Sequence, residues 1–372
     1  MKAMRATKAV KTIKVITILG TRPEIIKLSP LLPLLDAEFD HSTIHTGQHY
    51  DYNLDQVFFK ELNLRAPNYP LEVGSHPQGK QTALMLERIE QVLLDEKPDL
   101  AIVLGDTNTT LAGSLAAAKL HLPLMHIESG CRSFNRRMPE EINRIIADHL
   151  ATYLIAPDEK AAANLSREGL PVEKIFMLGS TAFDAVARNK QWASGKAVAP
   201  LGLEKGEYVL VTIHRTENTE NLEILGETFS ALNKLSGKTK LVFSLHPRTK
   251  KIMEKHNLKL NKNITVIEPQ PYLTFLALLQ DCRFCMSDSG GIQEEALACN
   301  VPCLILRNET EWMRIVDAGK NILVGTAAAG ITSSATQLLE NKDYLEKIKN
   351  IQYDYDGGAT KRIYHLIKGI LA

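Results

Sequence analysis

Short apolar runs rich in β-branched residues alternate with longer helical segments twice along this chain, which is the pattern of parallel βαβ units. The first series contains Lys14-Val-Ile-Thr-Ile-Leu19, His41-Ser-Thr-Ile-His45, Leu100-Ala-Ile-Val-Leu104, Leu122-Pro-Leu-Met-His-Ile127 and Thr152-Tyr-Leu-Ile-Ala156. The second contains Tyr208-Val-Leu-Val-Thr-Ile213, Lys240-Leu-Val-Phe-Ser-Leu245, Ile264-Thr-Val-Ile267, Phe284-Cys-Met286 and Val301-Pro-Cys-Leu-Ile-Leu306. At 372 residues the chain exceeds one ordinary domain of about 150 residues. The expected architecture is therefore α/β, with two Rossmann-like doubly wound domains and an active-site cleft between them. The pattern predicts a basic tail at 1–13, an N-terminal domain over 14–185 plus 356–372, and a C-terminal domain over 186–355. Asn189 to Gly206 reads as a surface insertion or linker. The last segment reads as a helix with Ile363, Leu366 and Ile367 on one face, packing back on the first domain.

Charge excludes several function classes. The 44 Lys and Arg against 43 Asp and Glu leave a net charge of +1, with 44% hydrophobic residues, the profile of an ordinary globular protein rather than a disordered or nucleic-acid-binding one. Apolar runs end in Gly or a charge well short of the roughly 18 residues a membrane helix needs. The apolar stretch behind the basic first residues is too short for a secretory signal. These features predict a cytoplasmic protein with no nucleic-acid or membrane partner. The five cysteines form an odd set, so reduced thiols are the default. Cys282-Arg-Phe-Cys285 has C-x-x-C spacing, but no second C-x-x-C and no nearby His completes a zinc set. No metal site is expected.

Ligands of open α/β sheets bind beyond the carboxyl ends of the strands. There this sequence is unusually polar: Gly20-Thr-Arg22-Pro-Glu24 with Lys27, Gly105-Asp106-Thr107, Glu128-Ser-Gly130 with Arg132, His214-Arg215, His246-Pro-Arg248 and Ser287-Asp-Ser-Gly-Gly291. A helix N-cap or a surface turn explains any one of these. It does not explain the set, because caps need neither two His, nor two Arg, nor a Glu directly after a buried strand. Ser289-Gly290-Gly291 opens an apparent helix, so its glycines and unpaired N–H groups read as a diphosphate seat. Glu295, one turn further in, is placed to accept ribose hydroxyls. No G-x-G-x-x-G follows a strand and no G-x-x-x-x-G-K-[ST] occurs, which argues against NAD and ATP chemistry.

With these residues in view, the chain resembles the non-hydrolysing UDP-N-acetylglucosamine 2-epimerases, whose paired Rossmann-like domains are of the GT-B type. The matching text runs in order through Gly20-Thr-Arg-Pro-Glu-Ile-Ile-Lys27, Gly47-Gln-His49, Gly105-Asp-Thr107, His126-Ile-Glu-Ser-Gly-Cys-Arg132, Pro139-Glu-Glu-Ile-Asn-Arg144, Asp148, Thr212-Ile-His-Arg215, His246-Pro247, Asp288-Ser-Gly-Gly-Ile-Gln-Glu-Glu295 and Thr310-Glu311. The family interconverts UDP-GlcNAc and UDP-ManNAc. By motif position, the resemblance implies catalytic roles for Asp106, Glu128, Glu140 and His214. It implies UDP binding by Arg22, Lys27, Gln270, Phe275, Ser289, Gly290, Gly291 and Glu295. It implies an activator site for a second substrate molecule beside Gln48, Arg215 and His246. No cofactor is implied, the partner is the UDP-sugar, and the expected state is a homodimer. Glu140, directly after Pro139, is equally readable as a plain helix N-terminal carboxylate.

Two departures bear on the substrate. Many members continue Arg-Pro after Thr-Glu, where this chain has Trp312-Met313, and Arg248 stands where Asn is common. The run Ser133-Phe-Asn-Arg-Arg-Met-Pro139 and the Glu-Trp variant look more like a branch that includes archaeal enzymes and 2-epimerases of UDP-2,3-diacetamido-2,3-dideoxyglucuronate. A glycosyltransferase of the same fold, or a UDP-sugar sensor, would also keep the Gly-rich turn and Glu295. A sensor would have no reason to keep Asp106, Glu128, Glu140 and His214 together.

Overall fold

A computed structural model describes residues 12–48, 58–193, 199–353 and 357–372. Residues 1–11 of the expected tail, His49, part of the 189–206 stretch and the expected boundary at 355/356 lie outside the described residues. The chain divides into two compact units. Unit 1 comprises the described residues up to Gly130, Phe134–Ser180 and Gly358–Ala372, and unit 2 comprises Cys131–Ser133 and the described residues of Thr181–Gly357.

Unit 1 is built on β1 (Lys14–Leu19), β2 (Asp40–His45), β3 (Tyr69–Pro70), β4 (Leu100–Leu104), β5 (Leu124–Ile127), β6 (Tyr153–Ala156) and β7 (Ile175–Met177). They form one parallel sheet in the order β3-β2-β1-β4-β5-β6-β7. Unit 2 repeats the topology with β8 (Tyr208–Thr212), β9 (Lys240–Ser244), β10 (Ile264–Ile267), β11 (Phe284–Ser287), β12 (Cys303–Ile305) and β13 (Asn321–Leu323), in the order β10-β9-β8-β11-β12-β13. These are the two doubly wound units that the sequence alternation predicts. In each, strand order reverses between the first and fourth strands, which opens a crevice at their carboxyl ends.

The continuous apolar runs follow from burial of both sheet faces. In unit 2, Val209, Val211, Leu241, Phe243, Phe284, Met286 and Leu304 pack on one side, while Tyr208, Leu210, Val242, Cys285, Cys303 and Ile305 pack on the other. The period of two assigns each neighbour to the opposite core. The C-x-x-C cysteines are part of that second core: Cys282, Cys285 and Cys303 are buried, and Cys285 lies in register with Cys303 on the adjacent strand. The hydrogen bond between the Cys285 and Cys303 thiols, with burial, pushes the Cys285 thiol well above its ordinary range, and burial, with the nearby Glu295 carboxylate, pushes Cys299 up to about 12. All five cysteines are free, and among the described residues no His, Cys, Asp or Glu group is arranged to hold a metal.

The division at Ser180/Thr181 falls at the start of a helix, Thr181–Asn189, rather than inside it. That helix joins unit 2 because Phe183 packs with Leu297, Trp312 and Ile315. The final helix, Ala359–Leu371, belongs to unit 1 and buries Ile363 and Ile367. Arg362 Nε donates to the Leu178 carbonyl at 2.9 Å and Lys368 pairs with Glu38 at 2.6 Å. Among the described residues no helix is long and apolar enough to cross a membrane.

His45 closes β2 in the core of unit 1, edge-on to Phe59 at 5.7 Å between ring centres. Burial lowers its pKa from 6.5 to about 4. Below pH 6.5 the unfolded chain takes up a proton that the folded state refuses, so this residue removes stability progressively as pH falls toward 4. Replacing it with a non-titrating side chain, His45→Leu, should reduce the stability lost between pH 6.5 and 4.5 by about 2 kcal/mol. Denaturant unfolding at pH 6.5 and 4.5 measures this, and an equal loss in both proteins refutes it.

Candidate active site

At the crevice of unit 1 the chain leaves β1 through Gly20-Thr21 and enters the helix Arg22–Leu28. Thr21 and Glu24 form a capping box, a signature readable in Thr-x-x-Glu. Glu24 reaches further than a cap. One carboxylate oxygen accepts from the Gly20 and Thr21 N–H groups at 2.7 Å and from the Thr21 hydroxyl at 2.9 Å, and the other accepts from Thr107 at 2.6 Å. It thereby ties the loop after β1 to the loop after β4. Burial raises its pKa more than these donors lower it. The Arg22 guanidinium lies 4.8 Å from the Phe58 ring centre.

Asp106 follows β4 and Glu128 follows β5, a hydrogen-bonded neighbour, so both emerge at the same sheet end. Asp106 is held twice: Arg144 donates to its carboxylate, and Asn143 Nδ2 donates to its carbonyl at 3.0 Å. Glu128 is 9% exposed and takes the left-handed conformation with φ +67°, which is strained for a side chain of this kind and typical of functional positions. Its carboxylate pairs with Lys27 Nζ at 2.6 Å. Lys27, expected on UDP, is thus bonded to a catalytic candidate. Glu140 lies half-buried in the first turn of the helix Pro139–Leu150, where its neighbour Glu141 accepts from the Phe134 N–H and pairs with Arg144 at 3.1 Å. The expected activator residue Gln48 accepts on its carbonyl from Gln81 Nε2 at 2.9 Å and on its side chain from Thr109 at 3.3 Å.

In unit 2 the matching crevice is organised by Asp288, which is fully buried after β11. It accepts the N–H groups of His214 at 3.1 Å and Arg215 at 2.9 Å, and Asn218 Nδ2 at 3.1 Å. His214 Nδ1 lies 3.6 Å from Asp288. The His214 side chain is 34% exposed, yet enclosure of the rest of the ring lowers its pKa, with Arg215 and Arg248 assisting and Asp288 opposing. His246 stacks at 5.5 Å from His214 and caps the helix Pro247–Lys255 by accepting the Arg248 N–H. Arg248 itself donates to the His214 carbonyl at 3.2 Å and to the Thr216 hydroxyl at 2.7 Å. Arg215 also approaches Glu311, at 3.6 Å, and Glu311 is paired with Arg307 at 2.9 Å.

Ser289 stands at the N-cap position of the helix Gly290–Ala298 without a side-chain capping bond, and that helix's first N–H groups lie at the carboxyl end of β11. The two glycines differ in purpose. A Cβ on Gly290 would lie 2.4 Å from a Glu311 oxygen, whereas one on Gly291 meets nothing within 4 Å. Glu295 is half-buried on the same helix. Gln270 donates to the Glu268 carbonyl, and Phe275 packs partly against the second core of unit 2. Trp312, in place of the family's Arg, is 7% exposed and packed with Phe183, Leu297 and Ile315. It is a core side chain.

The sequence profile of the UDP-N-acetylglucosamine 2-epimerase family matches residues 35–368. A Methanocaldococcus jannaschii protein, UDP-N-acetylglucosamine 2-epimerase, is 46% identical over 336 residues, spanning 87% of this chain and 92% of its own. The crystal structure of M. jannaschii UDP-GlcNAc 2-epimerase in complex with UDP-GlcNAc and UDP matches with a TM-score of 0.89 at 43% identity, covering 96% of this chain and 100% of that one. Pseudomonas aeruginosa UDP-2,3-diacetamido-2,3-dideoxy-D-glucuronate 2-epimerase is 41% identical over 357 residues, with 93% of this chain and 97% of its own covered.

The contrast between the glycines gives a test. Gly290→Ala must push Glu311 off Arg215 or Arg307 and should cost about 1–2 kcal/mol of stability by denaturant unfolding. Gly291→Ala should be neutral or slightly stabilising, because alanine favours the helix by up to ~1 kcal/mol. Equal effects would refute the distinction.

Proposed function

This chain belongs to the UDP-N-acetylglucosamine 2-epimerase family, and from that premise we propose that it interconverts UDP-GlcNAc and UDP-ManNAc by eliminating UDP across C1–C2 and adding it back. The observation that carries the reading is the pair of strand-end carboxylates, Asp106 and Glu128, each fixed by its own cation at one end of one sheet. Two fixed carboxylates suit this chemistry. The sugar C2 hydrogen is not acidic, since no carbonyl adjoins it, so inversion requires either transient oxidation or elimination. The sequence has no dinucleotide fingerprint, which favours elimination.

In this mechanism one carboxylate removes the C2 proton as the C1–O bond to UDP breaks, giving a glycal. Protonation of C2 on the opposite face with re-addition of UDP then yields the epimer. A base and an acid must flank C2, and Asp106, Glu128 and Glu140 are the three candidates. Arg22, His214 and the N–H groups behind Ser289 stabilise the departing diphosphate. His214, with its lowered pKa, is neutral at pH 7 and acts there as a hydrogen-bond partner. Gln270, Phe275, Gly290, Gly291 and Glu295 hold the nucleotide, and Lys27 serves both the anion and Glu128. Gln48, Arg215 and His246 carry the activator role that the resemblance implies. A cytoplasmic location, a homodimeric state and a role in polysaccharide biosynthesis are part of the same proposal.

The P. aeruginosa relative makes a sugar carboxylate the second reading, with Arg248 as its partner. Arg248 is already bonded to His214 and Thr216, which supports UDP-GlcNAc instead. Comparing kcat/KM on the two sugars decides this, and a tenfold preference for the uronate, about 1.4 kcal/mol, overturns the choice.

Turnover in D₂O should place deuterium at C2, with traces of glycal and UDP on long incubation. Epimer that retains its C2 hydrogen refutes elimination. Asp106→Asn and Glu128→Gln should lower kcat by roughly 10²-fold or more with UDP affinity little changed, whereas Glu295→Ala should weaken UDP binding. Near-normal kcat in both carboxamide variants would remove these residues from the mechanism.

A further inference from the structure

Beneath Asp106 and Glu128 lies a His–Asp pair that the proposed mechanism does not use. His126 on β5 and Asp148 on the helix Pro139–Leu150 are both fully buried, with Nδ1 and Oδ1 2.7 Å apart. Neither side chain is spent on the other alone. His126 Nε2 lies 2.7 Å from the carbonyl oxygen of Gly105, and the second oxygen of Asp148 accepts the Gly130 N–H at 3.1 Å. A carbonyl can only accept, so Nε2 carries a hydrogen, and the Nδ1 side of the ring faces the carboxylate.

The two backbone groups reached in this way flank the catalytic candidates. Gly105 directly precedes Asp106, and Gly130 stands two residues after Glu128. Both glycines and Glu128 hold left-handed backbone, with φ of +76°, +81° and +67°, where the strands end; past the last ladder bonds, from the Gly105 N–H to the Ile127 carbonyl and from the Ser129 N–H to the Ile155 carbonyl, side chains have to hold these loops. An apolar pair of similar volume would fill this space at no cost in desolvation. The polar pair is needed where the backbone on either side must be bonded. The helix bearing Asp148 also carries Asn143 and Arg144, which hold the Asp106 carbonyl and carboxylate.

We infer that His126 and Asp148 are positioning residues which lock the Asp106 loop and the Glu128 loop into one geometry. The inference rests on the epimerase reading for its kinetic consequence, though the anchor exists independently of it. Loss of a positioned geometry slows the chemical step more than it weakens binding.

The test uses the full chain. His126→Phe keeps the ring volume and loses both bonds; kcat should fall by about tenfold or more while the UDP Kd stays within about twofold. Asp148→Leu should behave alike. Asp148→Asn keeps both anchors, because an amide can donate to Nδ1 and accept from Gly130, and it should restore most of the kcat that Asp148→Leu loses. Amide exchange at Gly130 should be fast in Asp148→Leu and slow in Asp148→Asn. A folded His126→Phe protein with normal kcat overturns the inference, as does an Asp148→Asn protein as slow as Asp148→Leu. A wild-type protein without epimerase activity would instead refute the epimerase reading, and Gly130 exchange would still decide whether the anchor exists.

Discussion

A strand that ends at the switch point of a parallel sheet leaves backbone N–H groups facing a crevice, and in each half of this chain one buried carboxylate takes them. Glu24 accepts from Gly20, Thr21 and Thr107 in unit 1, and Asp288 accepts from His214, Arg215 and Asn218 in unit 2. A carboxylate buried alone would cost several kcal/mol, and only multiple donors offset that. The consequence is local rigidity where a Rossmann-like unit is otherwise made of loops. His214 is presented from a backbone held by Asp288, and the Asp106 loop is tied through Thr107 to the loop after β1.

The fold was legible because its signal is periodic. Every strand of unit 2 that sends alternate residues into two apolar cores has to read as a continuous apolar run, and Tyr208 through Thr212 does. The strand ends were legible for the same reason: once the runs are located, the residues following them are the crevice. The capping box of Thr21 and Glu24 was also open to reading, although its reach to Thr107 was not.

Pairings across the chain were hidden. Lys27 and Glu128 are 101 positions apart and meet only because β1 and β5 flank β4 in the sheet. Nothing local in Glu-Trp shows that Trp312 packs against Phe183, and nothing in Ser-Gly-Gly shows that Gly290 makes room for Glu311 while Gly291 does not. The Cys282/Cys285 spacing is the converse case, a local pattern with a metal-site look whose thiols belong to the apolar core.

The charged groups at the two crevices are paired differently. Around the crevice of unit 1, Lys27 and Arg144 are bonded to Glu128, Asp106 and Glu141, which holds these carboxylates in place with part of their charge offset. Around that of unit 2, Arg215 and Arg307 pair with Glu311, Arg248 bonds the His214 carbonyl, and the first N–H groups of the helix behind Ser289 add a positive end. Arg22 lies over the Phe58 ring, 4.8 Å from its centre. The proposed elimination makes different demands on anionic and cationic groups. The carboxylates must face a carbon that carries no charge, and the positive field must sit on the oxygen that gains it.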